Sequence, residues 1–192
     1  MDEEESFMTQ ALLLIDLQND YFPGGPMELV GMEEAASHGG QLLRAFRKAH
    51  APVFFVQHIS KRPDATFLLP DTDGARIHEK VEPEEGEIVV RKHFPNSFRD
   101  TALLDLLLTE EVKELVVCGA ASHMCVDATV RAAFDFGFRC TLVEDACATR
   151  DLEFRGKPIK AATVHAAFMA ALSSPYAEVT RIDEFMGSLA LG

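Results

Sequence analysis

The sequence lacks the features that would take it to a membrane or to nucleic acid. No stretch approaches the roughly 18 consecutive apolar residues of a membrane-spanning helix. Cations are scarce: 18 Lys and Arg stand against 31 Asp and Glu, a formal net charge of −13. A nucleic-acid partner needs cations that displace counterions from phosphates, and an anionic lipid surface needs them too, so the balance argues against both. A single cation inside a pocket can still hold a small anion. None of the four cysteines forms a CxxC pair, which argues against a zinc knuckle or a dithiol redox motif. The opening stretch "MDEEESFMTQ" is acidic where a secretory signal begins basic, and residues 1–9 read as a flexible acidic tail. Reduced cysteines without a leader suit the cytoplasm. There is no internal repeat, low-complexity tract or second domain boundary. Residues 10–192 therefore read as one domain, and a chain that is 47% hydrophobic can furnish its core.

What is present is an alternation of short apolar runs with longer helical patterns. "ALLLID" (11–16), "PVFFVQHI" (52–59), "EIVVRK" (87–92), "ELVVCG" (114–119), "RCTLVED" (139–145) and "AEVTRI" (177–182) are continuous apolar runs. Such runs fit strands covered on both faces, as in a parallel sheet. Between them, residues 33–50, 100–110, 123–137 and 160–174 carry helical patterns. This βαβ rhythm predicts a three-layer α/β/α sandwich around a mainly parallel, six-stranded sheet. One connection breaks the rhythm. Residues 60–86, rich in Pro, Asp and Gly, are either a functional loop or a surface excursion that packs Phe67, Leu68 and Leu69 down as a plug.

Ligands of open α/β sheets bind beyond the carboxyl ends of the strands. That rule selects Asp16, Gln57 and His58, Lys92, the turn "GAASHMC", and Glu144 with Asp145. A carboxylate, an ammonium and a thiol on one rim are a more specific set than any polar strand end alone. Cys125 falls at the expected start of the 123–137 helix, where free N–H groups and the helix dipole favour thiolate. Lys92 would favour it further, and Asp16 would take the proton. A buried structural cysteine is the competing reading. Cys118 and Cys140 lie within apolar strands and read as core, and Cys147 as loop packing.

Four segments in this order resemble the isochorismatase-like cysteine hydrolase superfamily: "LLLIDLQNDYF" (12–22), "VVRKHFPNSF" (89–98), "VVCGAASHMCVDATVRAAFDFGF" (116–138) and "VEDACAT" (143–149). The resemblance implies an isochorismatase-like, Rossmann-type fold and a catalytic set of Asp16, Lys92 and Cys125. It implies a cis peptide between Ala120 and Ala121, with the backbone N–H groups of Ala121 and Cys125 as an oxyanion hole. Ser122 stands where many members have threonine and keeps the hydroxyl. Gln18, Phe22, His58, Phe67, Phe94, Ser122 and His123 are expected to bind substrate, and Tyr21 and Phe154 are further candidates for the pocket wall.

The departures carry weight too. The nicotinamidase branch holds a metal through an Asp-x-His pair after the second strand. Here that region reads "VQHISKRPDATF", so His58 and His78 are not expected to hold a metal, and no cofactor is expected. The resemblance then points to a metal-independent cysteine amidohydrolase that cleaves a C–N amide bond of a small molecule through a thioester. Vinyl ether hydrolysis of isochorismate is the alternative, and a binding or scaffold protein without catalysis is the second alternative. A homodimer or homotetramer is expected from the family.

Overall fold

The computed structural model describes residues 10–190. The acidic tail expected over 1–9 lies outside the described residues. Six strands form one sheet in the order β3-β2-β1-β4-β5-β8. They are β1 (Gln10–Ile15), β2 (Val53–His58), β3 (Ile88–Lys92), β4 (Glu114–Ala120), β5 (Arg139–Ala148) and β8 (Glu178–Thr180). Every pairing in this sheet is parallel. The helices α1 (Met32–Lys48), α2 (Leu103–Thr109), α3 (Asp127–Asp135), α4 (Ala161–Leu172) and α5 (Ile182–Ala190) cover its two faces. The expected three-layer α/β/α sandwich is the fold. No helix among the described residues is long and apolar enough to cross a membrane.

Strand β1 shows why its run is continuously apolar. Leu12 and Leu14 enter one core layer with Phe46 of α1 and Phe55. Ala11, Leu13 and Ile15 enter the opposite layer with Leu103 of α2, Val130 of α3 and Leu172 of α4. Alternate side chains point to opposite faces of a strand, so a strand covered on both sides needs apolar residues throughout. Cys118 belongs to the first layer, and Cys140 and Cys147 to the second. Burial pushes the thiols of Cys140 and Cys147 up to about 12 and raises that of Cys118 well above its ordinary value, so these three are packing groups.

Apart from short 3-10 turns, a hairpin and a helix among the described residues have no counterpart in the sequence reading. The hairpin joins β6 (Leu152–Phe154) and β7 (Lys157–Ile159), whose three-residue strands are too short to show a periodicity. The helix is α5, whose first turn is anchored by Asp145 Oδ1 accepting from the Ile182 N–H at 2.9 Å, across 37 positions of sequence. The expected helix over 123–137 is also modified. A π turn occupies Ser122–Val126, and α3 begins only at Asp127. The Val126 N–H reaches Ala121 O at 3.3 Å, five residues back, which is the wide π pattern and one that tends to mark functional sites.

The long connection after β2 is both plug and wall. Leu68 is buried and Phe67 packs against the same core layer. Asp20, itself buried, accepts the Leu68 N–H at 2.5 Å. Gly74 crosses Asp20 so closely that a Cβ there would lie 1.9 Å from Oδ1.

The centre of the sheet depends on another glycine. Gly119, with φ +131°, lies against β1, where a Cβ would sit 2.0 Å from Ile15 O. Both the left-handed backbone and the contact forbid a side chain. Gly119→Ala should therefore lose about 2–5 kcal/mol of unfolding free energy, read as a lower midpoint in a urea titration. A variant with the wild-type midpoint would contradict this account of how β1 and β4 meet.

Candidate active site

The chain runs from β1 outward to β2 and β3, then returns to place β4 on the other side of β1. Ligand crevices open where the strand order reverses in this way. Four consecutive strand ends line that rim: Lys92 closes β3, His58 closes β2, Asp16 follows β1, and the turn 121–126 follows β4. Asp16 takes the left-handed conformation, with φ 51°, a region that Asp enters more readily than most residues. That turn of the chain brings its carboxylate under the rim. The peptide between Ala120 and Ala121 is cis, as the resemblance implies.

Asp16 and Lys92 are both 0% exposed. Lys92 Nζ lies 2.7 Å from Asp16 Oδ2. It also donates to His58 Nδ1 at 3.0 Å and to Phe94 O at 3.1 Å. Burial, the largest influence, would lower the Lys92 pKa, but Asp16 and Cys125 together outweigh it and hold the ammonium above its ordinary value. His58 moves the other way: burial, then Lys92, lowers it to about 4. At neutral pH an uncharged imidazole therefore stands beside the Lys92 ammonium.

Cys125 is nearly buried and within hydrogen-bonding reach of both Asp16 and Lys92. Among the described residues, neither Asp16 oxygen takes a backbone or amide hydrogen bond, so the carboxylate faces only the ammonium and the thiol. Burial and then Asp16 push the Cys125 thiol well up, and Lys92 offsets part of this. The resting proton therefore sits on sulfur. This corrects the expectation of a helix start that favours thiolate: Cys125 lies inside the π turn, ahead of α3, and burial dominates. Deprotonation requires the carboxylate beside it.

A cavity of about 470 Å³ opens above Cys125. Tyr21, Phe67 and Phe94 supply aromatic wall, and Met27, Leu29 and Leu68 aliphatic wall. His58, His93, His123 and Ala121 also face it. The structure thus gathers Cys125, Ala121, His58, Phe67, Phe94 and His123 around one space, with Asp16 and Lys92 beneath. His123 Nδ1 is tied to Thr149 Oγ1 at 2.6 Å and His93 Nδ1 to Ile59 O at 2.7 Å, which fixes both rings.

Other expected contacts lie elsewhere. Gln18 is buried, and its amide is spent on backbone: it donates to His58 O and Ala75 O and accepts from His58 N. Phe22 is buried in a stack on His78, with centroids 3.6 Å apart. Ser122 is buried, with its hydroxyl on Ala148 O at 3.2 Å and His165 Nδ1 at 2.9 Å. It ties the turn to β5 and α4 and is not part of the cavity wall. Phe154 is 65% exposed on the β6–β7 hairpin and does not face the cavity.

Asp16, His58 and Cys125 offer ligand atoms within 4.8 Å of one another. The donor set does not fit a metal, because the Lys92 ammonium already bonds two of the three groups. A second cation there would meet that charge at close range. His78 lies away from this group, stacked on Phe22 and accepting from the Lys80 N–H.

Among the cavity residues that the sequence did not point to, one carries a free charge. Arg150 stands at the rim, exposed, with no hydrogen bond or ion pair among the described residues. Its charge acts on Tyr21 and His123. The other rim cation, Arg62, is taken up by Asp64 at 2.8 Å. Nothing in "ATRD" distinguishes such an arginine from a solvated one.

Comparison with known proteins gives a consistent picture. A family model described as the Isochorismatase domain matches residues 10–184. The isochorismatase family protein YddQ of Bacillus subtilis is 54% identical over 179 residues, covering 93% of this chain and 99% of that protein. A crystal structure of an isochorismatase from Pseudomonas putida superposes with a TM-score of 0.85 at 40% identity, covering 93% of this chain and 90% of that one. The N-carbamoylsarcosine amidase of an Arthrobacter species is 31% identical over 146 residues, 67% of this chain and 55% of that enzyme.

The Asp16–Lys92 pair is a structural element as well as a chemical one. Lys92→Met should lose about 3–5 kcal/mol by leaving a buried carboxylate unpaired. Asp16→Asn combined with Lys92→Met should recover most of that loss, since no charge is then stranded. Chemical denaturation of the two variants checks this. A double variant no more stable than Lys92→Met would contradict it.

Proposed function

The chain belongs to the isochorismatase family, and on that footing we propose that it is a metal-independent amidohydrolase that cleaves a C–N amide bond of a small molecule through a thioester on Cys125. Members of the family are hydrolases, and some, like the N-carbamoylsarcosine amidase, are amidases. The observation that carries the reading is the meeting of the buried Asp16–Lys92 pair with the Cys125 thiol on the floor of an apolar pocket.

The chemistry follows from who holds the proton. Asp16 takes it from Cys125 Sγ as the sulfur attacks the carbonyl carbon. The Lys92 ammonium then faces the thiolate in place of the lost thiol. The backbone N–H groups of Ala121 and Cys125 hold the carbonyl oxygen as it becomes an oxyanion. Asp16 hands its proton to the leaving nitrogen, and the amine departs. Water enters, Asp16 takes one of its protons as the oxygen adds to the thioester carbon, the C–S bond breaks to release the acid, and Asp16 returns that proton to Cys125 Sγ. Vinyl ether cleavage would need only a proton donor, so it leaves the thiol without a purpose.

The pocket also favours a class of substrate. Its walls are aromatic and aliphatic, and its one unpaired rim charge among the described residues is Arg150. This suits a small amide that carries a carboxylate.

Two measurements test this. On a panel of small primary and N-carbamoyl amides, Cys125→Ala and Asp16→Asn should each lose about 10³-fold or more in kcat. Near-full activity of Cys125→Ala, or turnover of isochorismate but of no amide, would overturn the proposal. Separately, Arg150→Ala should raise KM for carboxylate-bearing amides by about tenfold or more and leave their neutral analogues within about twofold. Equal effects on both sets would remove Arg150 from recognition.

A further inference from the structure

We infer that His58 is a positioning residue of this site: as an uncharged imidazole with its proton on Nε2, it accepts a hydrogen bond from the Lys92 ammonium and holds that cation against Asp16 and Cys125. The geometry stands by itself, and the catalytic consequence rests on the amidohydrolase reading above.

An ammonium has three protons to donate and no lone pair to accept with. Lys92, fully buried, has Asp16 Oδ2 at 2.7 Å, His58 Nδ1 at 3.0 Å and Phe94 O at 3.1 Å around it, with the Cys125 thiol also in reach. Because Lys92 can only donate, His58 Nδ1 must carry a lone pair. Its proton is then on Nε2, and the ring is neutral. A proton on Nδ1 would set two N–H groups against each other in the interior, which is costly.

The placement of His58 is built, not incidental. His58 and Lys92 are register partners on β2 and β3. Gln18 grips the His58 backbone from both sides, accepting from its N–H at 2.8 Å and donating to its carbonyl at 2.9 Å. The buried amide that stays out of the pocket thus fixes the residue that fixes Lys92. With Nδ1 committed, the ring offers an N–H, not a lone pair, from its other nitrogen on a face that lines the cavity.

Charge bookkeeping explains why the ring must stay neutral. The titratable groups facing it are Lys92 at the end of β3 and His93 just after it, Asp16 after β1, and Cys125 from the turn after β4. With His58 uncharged, Asp16, Lys92 and the Cys125 thiol sum to zero. Moving the proton from sulfur to the Asp16 oxygen breaks one S–H bond, forms one O–H bond and leaves the sum at zero. A protonated His58 would add a second cation, hold Asp16 as an anion and oppose that transfer. Burial, then Lys92, lowers the ring to about 4 against its ordinary 6.5. An unfolded chain takes up a proton between those two values that the folded one refuses. The contribution of the neutral ring to stability is therefore present above 6.5 and lost as the pH falls through about 4.

Two experiments on the full chain decide the matter. In ring-nitrogen NMR of the wild type, His58 should be the Nε2–H tautomer with Nδ1 hydrogen-bonded, and should take up its proton near pH 4. An Nδ1–H tautomer, or proton uptake near 6.5, would overturn the inference. The second experiment is the rate of iodoacetamide alkylation of Cys125, followed by peptide mass. At neutral pH, His58→Ala should slow it about 10–100-fold. His58→Asn, whose side-chain oxygen can replace Nδ1 as acceptor, should stay within about threefold of wild type. His58→Ala reacting at the wild-type rate would overturn the inference, and the wild-type NMR decides if that variant fails to fold. A Cys125 inert in the wild type, together with the expected tautomer, would support the positioning of Lys92 and reject the amidohydrolase reading.

Discussion

Everything at the rim of this sheet depends on one buried ion pair, Asp16 with Lys92. Removing both charges from water costs several kcal/mol for each ion, and neither side chain retains any exposure. The cost is offset by geometry. The ammonium has a counter-charge at 2.7 Å and donates to two neutral acceptors. The carboxylate is less well satisfied, with no backbone or amide donor among the described residues. That imbalance matters chemically. The carboxylate is thereby left facing only the ammonium and the thiol above it.

The sheet order makes the pair possible. Lys92 and Asp16 belong to strands that are not neighbours, with β2 between them. A long side chain at the end of β3 crosses the end of β2 to reach the residue after β1, and His58 sits at the crossing. On the other side, Gly119 lets β4 close on β1, which brings the turn bearing Cys125 over the carboxylate. Three chemical groups from distant parts of the chain become one unit because strand ends in a parallel sheet share an edge.

Much of this was legible in the sequence, for physical reasons. Continuous apolar runs mark strands covered on both faces, so the parallel sheet and most strand limits followed from residues such as Leu12 to Ile15. Polar residues closing those runs marked the rim, which found Asp16, His58 and Lys92. What the sequence hid was mostly direction and long-range pairing. Gln18, Phe22 and Ser122 sit beside rim positions but turn into the protein, because their partners, His58, His78 and His165, lie 40, 56 and 43 positions away. The π turn replaced an expected helix start, because its wide hydrogen bonding to Ala121 O is set by how the chain leaves β4 and leaves no mark in composition. Arg150 was invisible for the opposite reason: only the absence of a partner among the described residues sets it apart.

The central claim is that Cys125 becomes covalently acylated with Asp16 as its base. The most direct measurement is rapid acid quenching during turnover of an amide, followed by peptide mass mapping. The account predicts the acyl portion of the substrate, without its amine, on the peptide that contains Cys125. Acyl mass on a different residue, or undiminished turnover by protein whose Cys125 has first been fully blocked, would contradict it.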